Sequence, residues 1–293
     1  MHKKENVILV LGGGSARGLA HIGAIKHLNT LFNIKAIVGT SMGAIIGGLY
    51  ASGLSADKIL DITKKMKPKD YLPFLQLHAS GGFVNSKKIL SFFSDLVGNK
   101  NIEDLQISYA AVAFDIKSKS TVILNKGNLA AAMLASCSLP LIFKPFKYGN
   151  HLLCDGGVEY PLPTDFAGLW DKDLKVVAVN VLPPVFRRPQ FISIATDKYE
   201  TSRENNVILS LQTTEYNQAF LAIRSLFDHK PDYYISAYAN NLSIWEFHKA
   251  EEFYQVGLKR AKEGIVIEKP RKNIDDLGDI ILDLKKRIES LIS

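Results

Sequence analysis

The sequence predicts an α/β fold with a mainly parallel central sheet and helical crossovers. Three observations predict it. A short apolar run at residues 7–11 stops at three consecutive glycines. Helical spacing takes over at once and holds to residue 31. A second apolar run at 34–38 then repeats the same order into a second helix. Strand, helix, strand, helix is the pattern of parallel strands joined across a sheet face.

The elements follow in order. Residues 7–11 are apolar and β-branched and end at Gly12-Gly13-Gly14, which reads as a buried strand and a turn. From 16 to 31, Leu19, Ile22, Ile25 and Leu28 fall on one helical stripe. Residues 34–38 form the second strand, Gly39-Thr40-Ser41-Met42-Gly43 the turn after it, and 44–51 a helix rich in Ala, Gly and Ile. Helices are expected at 54–66 and 86–97, with an irregular aromatic stretch at 68–83 between them. Residues 109–115 and 120–124 read as a strand pair, 129–135 as a short helix and 140–146 as a loop rich in Pro and Phe. A short strand at 152–154 leads into Asp155-Gly156-Gly157, and 176–182 is a further buried strand.

Prolines and arginines at 183–189 interrupt this rhythm, which sets an α/β core over 1–182 and a helical C-terminal extension over 183–293. The extension is expected to complete or cap the domain. Within it 206–227 and 250–262 read as helices and 233–235 as extended. Ile274, Leu277, Ile281, Leu284, Ile288 and Leu291 alternate in steps of three and four. That amphipathic helix docks on its own domain in the plainer reading; a homodimer or membrane contact is the sharper one.

The chain has 293 residues, 47% of them hydrophobic, enough for one substantial core. No internal repeat suggests a solenoid or propeller. The first apolar run is too short for a signal-peptide core, and no stretch approaches the roughly 20 apolar residues that span a bilayer. A cytoplasmic protein is expected, peripheral at the inner membrane face at most. Cys137 and Cys154 are too few for a disulfide scaffold, lack metal-ligand spacing and read as small buried hydrophobes. The net charge of +7 is scattered, which permits attraction to anionic lipid but calls for no nucleic-acid partner.

Three segments carry chemistry. Gly39-Thr40-Ser41-Met42-Gly43 is a G-x-S-x-G between strand and helix, where a sharp turn exposes the serine hydroxyl and the helix dipole favours developing negative charge. The plainer reading is a turn whose serine caps the helix. Gly12-Gly13-Gly14-Ser15-Ala16-Arg17-Gly18 stands at another strand-to-helix turn, where successive N–H groups make an anion-binding concavity. In an ester hydrolase that anion is the oxyanion of the tetrahedral intermediate. Arg17 either steers an anionic head group or supports the loop. A dinucleotide reading of this loop needs an acidic residue about 20 positions on, and none occurs between Glu5 and Asp57. Asp155-Gly156-Gly157 places a carboxylate at a strand end, as a base for Ser41 or as a plain turn residue. A Ser-Asp-His order with His229 or His248 is the other arrangement, but neither histidine sits in a recognisable turn motif.

Taken together, these blocks resemble the patatin-like phospholipase family. The glycine loop at 12–18 is similar to its oxyanion loop, 39–43 to its nucleophile elbow, and Asp155-Gly156-Gly157 to its Asp-Gly-Gly/Ala motif. Ala135-Ser136-Cys137-Ser138-Leu139-Pro140 resembles the segment before the aspartate. The resemblance covers about residues 6 to 182. It implies a three-layer α/β/α fold and a Ser–Asp dyad without histidine, with Ser41 as nucleophile and Asp155 as general base. Gly12, Gly13 and Gly14 would supply the oxyanion hole, supported by Arg17, Gly18, Gly39, Gly43, Gly156 and Gly157. It also implies a lipid ester substrate, with no metal or other cofactor. Two departures are Leu134, where arginine is common, and the 115–119 turn, which lacks a frequent glycine. The alternatives are a catalytically silent scaffold and an anion- or nucleotide-binding regulator.

Overall fold

The computed structural model describes residues 4–66, 86–140, 142–184 and 206–264. The aromatic stretch at 68–83, most of the 183–189 boundary and the 274–291 pattern lie outside them.

The apolar runs become the centre of an eight-stranded sheet. β1 (Glu5–Leu11) pairs in parallel with β2 (Phe32–Thr40), and β2 in parallel with β3 (Ser108–Asp115). Three antiparallel strands flank them: β4 (Ser120–Leu124), β5 (Phe146–Tyr148) and β6 (His151–Asp155). On the other side β1 pairs in parallel with β7 (Lys175–Asn180), and β7 with β8 (Tyr233–Ser236).

β1 shows why a continuous apolar run is needed. Val7, Leu9 and Leu11 join one buried cluster, while Ile8 and Val10 join another. Alternate side chains point to opposite faces, so a strand covered on both sides has no polar position. Each fully buried Ile or Leu here contributes roughly 1.5–3 kcal/mol.

Helices cover both faces. The first cluster includes residues of α1 (Ala20–Leu31), α2 (Met42–Ala51), α3 (Ala56–Lys65), α4 (Ser86–Val97) and α5 (Leu129–Ser136). The second is capped by α6 (Thr164–Trp170) and by Ala219 and Ala222 of α7 (Asn206–Asp228). Leu211, near the start of α7, belongs to the first cluster, so this helix passes the sheet's edge from one face toward the other. α8 (Ala250–Glu263) returns to the first face and packs on α1. The crossing is close: a β-carbon on Gly257 would lie 1.8 Å from the Ala20 carbonyl oxygen.

The structure departs from the expected elements in places. The helix expected from residue 16 opens as a 3-10 turn, Ser15–Leu19, and becomes α-helical only at Ala20. Ser15 has φ 50°, which a regular helix cannot accommodate. α3 starts at Ala56, where the Ser55 side chain accepts the Lys58 N–H at 3.2 Å. The loop expected through 146 ends in β5, a three-residue edge strand hairpinned onto β6, and α6 was not anticipated. Beyond 183, β8 joins the sheet, so the extension is not purely helical.

Register explains how two distant segments meet. β4 runs along one edge of β3, opposite residues 111–115. The other edge is shared: β2 pairs with 108–112, and β6 pairs with 113–115. Thr40 thus faces Val112 and Asp155 faces Ala113, the next residue on β3. The ends of β2 and β6 converge at one point although 115 positions separate Thr40 from Asp155.

Candidate active site

Ser41 is the single residue between β2 and α2. Its backbone sits at φ 55°, ψ −123°, a conformation that costs a non-glycine residue of order 1–3 kcal/mol. The flanking glycines let the chain turn this sharply. A β-carbon on Gly43 would lie 2.2 Å from the Leu11 oxygen, and one on Gly39 would lie 2.5 Å from the Gly43 carbonyl carbon. The strained turn is held from behind. The Ser41 N–H donates to Ser136 Oγ at 2.9 Å, and that hydroxyl donates to the Val112 oxygen at 2.5 Å.

Asp155 ends β6 and is 1% exposed. Its Oδ1 accepts the Gly157 N–H at 2.7 Å, and its own N–H donates to the Ser138 oxygen at 3.0 Å. Ser41 and Asp155 line the same cleft. Burial pushes the Asp155 carboxyl up to about 6, against the opposing pull of the bonds from Ser41 and Gly157. A β-carbon on Gly156 would lie 2.3 Å from the Val112 oxygen, and one on Gly157 2.4 Å from Gln218 Nε2. The motif's glycines therefore fit between β3 and α7. Burial, and then the Asp155 charge, raise the Cys137 thiol far above its ordinary value, so it stays a neutral thiol.

The glycine loop packs on the elbow: a β-carbon on Gly13 would lie 3.3 Å from that of Ser41, and one on Gly18 would meet the Met42 side chain at 2.4 Å. Three N–H groups aimed at an oxyanion were expected, and two are already engaged. Gly12 donates to the Val179 oxygen at 3.1 Å, extending the β1–β7 ladder by one bond, and Gly13 to the Pro161 oxygen at 2.8 Å, in the loop before α6. Gly14 lines the cleft beside Ser41.

Arg17 corrects one of its two expected roles. Its guanidinium is buried, pairs with Glu215 of α7, donates to the Leu242 oxygen at 3.2 Å and lies 4.8 Å from the centre of the Tyr238 ring. It clamps the loop to the C-terminal segment and does not face a head group. The Ser15 hydroxyl and Ala16 N–H both bond the Ile244 oxygen, which reinforces the clamp.

A cleft opens over Ser41 and Asp155. Leu139, Ile142, Phe143 and Leu182 line it, and α7 contributes Leu211, Thr214, Glu215 and Gln218. Phe143 of the Pro- and Phe-rich loop is in this wall; Phe146 instead packs on Tyr148 in the edge hairpin.

The family model for patatin-like phospholipase matches residues 9–167, more than half of the chain. The chain belongs to the patatin-like phospholipase family. An NTE family protein of Mycobacterium tuberculosis (strain H37Rv) is 40% identical over 159 residues, which cover 54% of this chain and 44% of the relative. Patatin-like phospholipase domain-containing protein 6 of Mus musculus is 35% identical over 176 residues, 56% of this chain and 12% of that protein. The shared region thus spans less than half of these relatives' length. Among solved structures, VipD from Legionella pneumophila aligns with 89% of this chain and 66% of its own at a TM-score of 0.45 and 13% identity.

In this patatin-like chain the structure brings together Ser41, Asp155, Gly13, Gly14, Gly39, Gly43, Gly156 and Gly157. His229 is placed elsewhere, paired with Asp165, and neither it nor His248 lines the cleft. Two supporting residues escaped the sequence reading of side-chain roles. Ser136 lay in a recognised block with no role attached. His21 belongs to no motif, yet its Nε2–H donates to the Gly12 oxygen at 2.8 Å. Its signal was a polar residue beside Ile22 on the stripe that buries the first helix.

Proposed function

We propose that this chain is a serine lipid acyl hydrolase that cleaves carboxylic esters of phospholipids, lysophospholipids or related lipids. Ser41 Oγ attacks the ester carbonyl and Asp155 takes the hydroxyl proton. The Gly14 N–H, with the first N–H of α2 at Met42, holds the oxyanion, since the opening N–H groups of a helix lack partners within it. The alcohol leaves, and Asp155 then delivers water to the acyl-enzyme. A carboxylate is a weaker base than imidazole, so positioning and oxyanion binding carry much of the rate.

The observation that carries this reading is that Ser41, at a strained strand-to-helix elbow, and the buried Asp155 carboxyl line one cleft. A turn serine that merely caps a helix has no need of such a partner, and the Ser41 side chain caps nothing in α2.

The substrate resides in membranes, and the reading includes transient docking on anionic bilayers. No described helix is long and apolar enough to cross a membrane. Tyr216, Phe220 and Phe227 stand exposed on α7, the helix that also walls the cleft.

The test is intact mass after fluorophosphonate treatment, wild type beside Ser41→Ala, followed by hydrolysis of 4-nitrophenyl butyrate and lysophosphatidylcholine. One adduct on the wild type alone and turnover lost in Ser41→Ala and Asp155→Ala are expected. No adduct with detergent or liposomes present would return the chain to the scaffold reading.

A further inference from the structure

A second cavity adjoins the cleft over Ser41. Met42, Ile45 and Phe247 are wall residues of both. Behind them the second cavity continues between α2, α3 and α4, where Leu49, Ile62 and Leu96 line it. Ser41 and Asp155 border only the first.

The two spaces differ in chemistry. The cleft sets Ser41, Asp155, Thr214, Glu215 and Gln218 among apolar side chains. In the second cavity every lining residue is apolar but Thr63, whose hydroxyl donates to the Leu60 oxygen at 2.8 Å within its own helix. A ligand that satisfies both must join a polar ester to a slender apolar chain, because apolar walls strongly disfavour polar groups that find no partner there.

The partition is made of side chains. Met42 follows Ser41 directly and is half-buried, and Ile45 stands one turn further along α2. Methionine has three rotatable bonds and no branch, so it can swing aside at low cost. α2 therefore runs from the proposed nucleophile along the wall of the second cavity, and a chain anchored at Ser41 can lie beside it.

We propose that the fatty acyl chain of the substrate passes Met42 and Phe247 and ends between α3 and α4, so that this channel selects long-chain over short-chain esters. The inference rests on the acyl-hydrolase reading of Ser41 and adds the acyl subsite to it. Ile62→Trp and Leu96→Trp fill the far end without touching the cleft; both positions are half-buried.

Two measurements test it. The first is kcat/KM on 4-nitrophenyl palmitate and butyrate for the wild type and both variants. The palmitate rate is expected to fall about tenfold or more while butyrate stays within about twofold, since each excluded methylene forfeits its burial. The second needs neither turnover nor variants: wild-type protein is photolabelled with palmitic acid carrying a diazirine in the outer half of its chain, and the adduct is mapped by peptide mass spectrometry. Adducts within residues 56–66 or 86–97 are expected. Adducts only elsewhere, no saturable labelling, or an unchanged palmitate-to-butyrate ratio in folded variants would overturn the channel. Failure of the hydrolase reading looks different: no fluorophosphonate adduct and no butyrate turnover in the wild type.

Discussion

The Ser136 hydroxyl stands between the Ser41 N–H, which it accepts at 2.9 Å, and the Val112 oxygen, to which it donates at 2.5 Å. One buried side chain thereby fixes the elbow to the β3 edge that also aligns Asp155. Ser136→Ala leaves two backbone groups without this partner and is expected to cost about 1–3 kcal/mol in urea unfolding. It should also slow fluorophosphonate labelling of Ser41 while Ser41 itself is intact. Labelling at the wild-type rate would show that the elbow holds without this bond.

The Asp155 carboxyl sets the pH dependence of the proposed reaction. Only the ionised form accepts the Ser41 proton, and burial raises this carboxyl to about 6. The rate constant kcat/KM on a soluble ester should climb tenfold per pH unit below about 6 and level above it. A midpoint near 4, the ordinary carboxylate value, would mean that the group is solvated when it acts.

The same shift makes the site costly to fold at neutral pH. In the folded chain Asp155 holds its proton up to about 6, while in the unfolded chain it releases it near 4. Between those values the unfolded state binds fewer protons, so stability present below about 4 is lost as pH rises through about 6. Two pH units correspond to roughly 3 kcal/mol. Asp155→Asn removes the charge and should be more stable than wild type by about 1–3 kcal/mol at pH 7.5, with the difference nearly gone at pH 4. An equal difference at both values would assign it to altered packing.

His21 positions the glycine loop through its 2.8 Å bond to the Gly12 oxygen. Full burial lowers this imidazole to about 4, so it is neutral at neutral pH, with the proton on Nε2. His21→Leu abandons the Gly12 oxygen and should lower kcat by about ten- to hundredfold with little change in KM, since small displacements of an oxyanion site are expensive. His21→Gln can present an amide N–H near the Nε2 position and should recover most of that loss. Two variants of equal activity would make His21 a packing residue only. Folding should report it independently. The stability that neutral His21 contributes is present above about 6.5 and is lost as pH falls from there toward about 4, because the unfolded imidazole protonates first.

How much of this was legible depended on whether the signal was local. Residues 7–11, buried on both faces, cannot alternate polar with apolar and so declare a central strand. Gly39 and Gly43 declare a turn that no β-carbon would fit. The meeting of Ser41 and Asp155 at one cleft was legible only through resemblance to a family, because it depends on β2 and β6 sharing one edge of β3, and nothing within 151–155 encodes that neighbour. β5 was missed since Phe146–Tyr148 is too short to show a period. Arg17 was half read: its charge was plain, but Glu215 and the Leu242 oxygen lie about 200 residues away. The engaged N–H groups of Gly12 and Gly13 were invisible for the same reason, since their acceptors come from Val179 and Pro161.

Membrane docking is testable on α7. Tyr216, Phe220 and Phe227 are 60%, 58% and 73% exposed, and steps of four and seven put them on one side of the helix. Leu211, Thr214, Glu215 and Gln218 turn toward the cleft from the same helix. Burying the aromatic face in a bilayer would thus bring the cleft wall to the lipid surface, and two phenylalanines entering the acyl region contribute roughly 1.5–3 kcal/mol each at full burial. Phe220→Ser combined with Phe227→Ser should reduce co-sedimentation with vesicles containing anionic lipid by about tenfold or more. Hydrolysis of soluble 4-nitrophenyl butyrate should stay at the wild-type rate, because neither side chain lines the cleft. The net charge of +7 adds a salt-sensitive part to the attraction, so sodium chloride should weaken binding of wild type and variant alike. Vesicle binding that survives both substitutions would move the docking face away from α7, and binding that survives high salt but not the substitutions would make the aromatic face its main source.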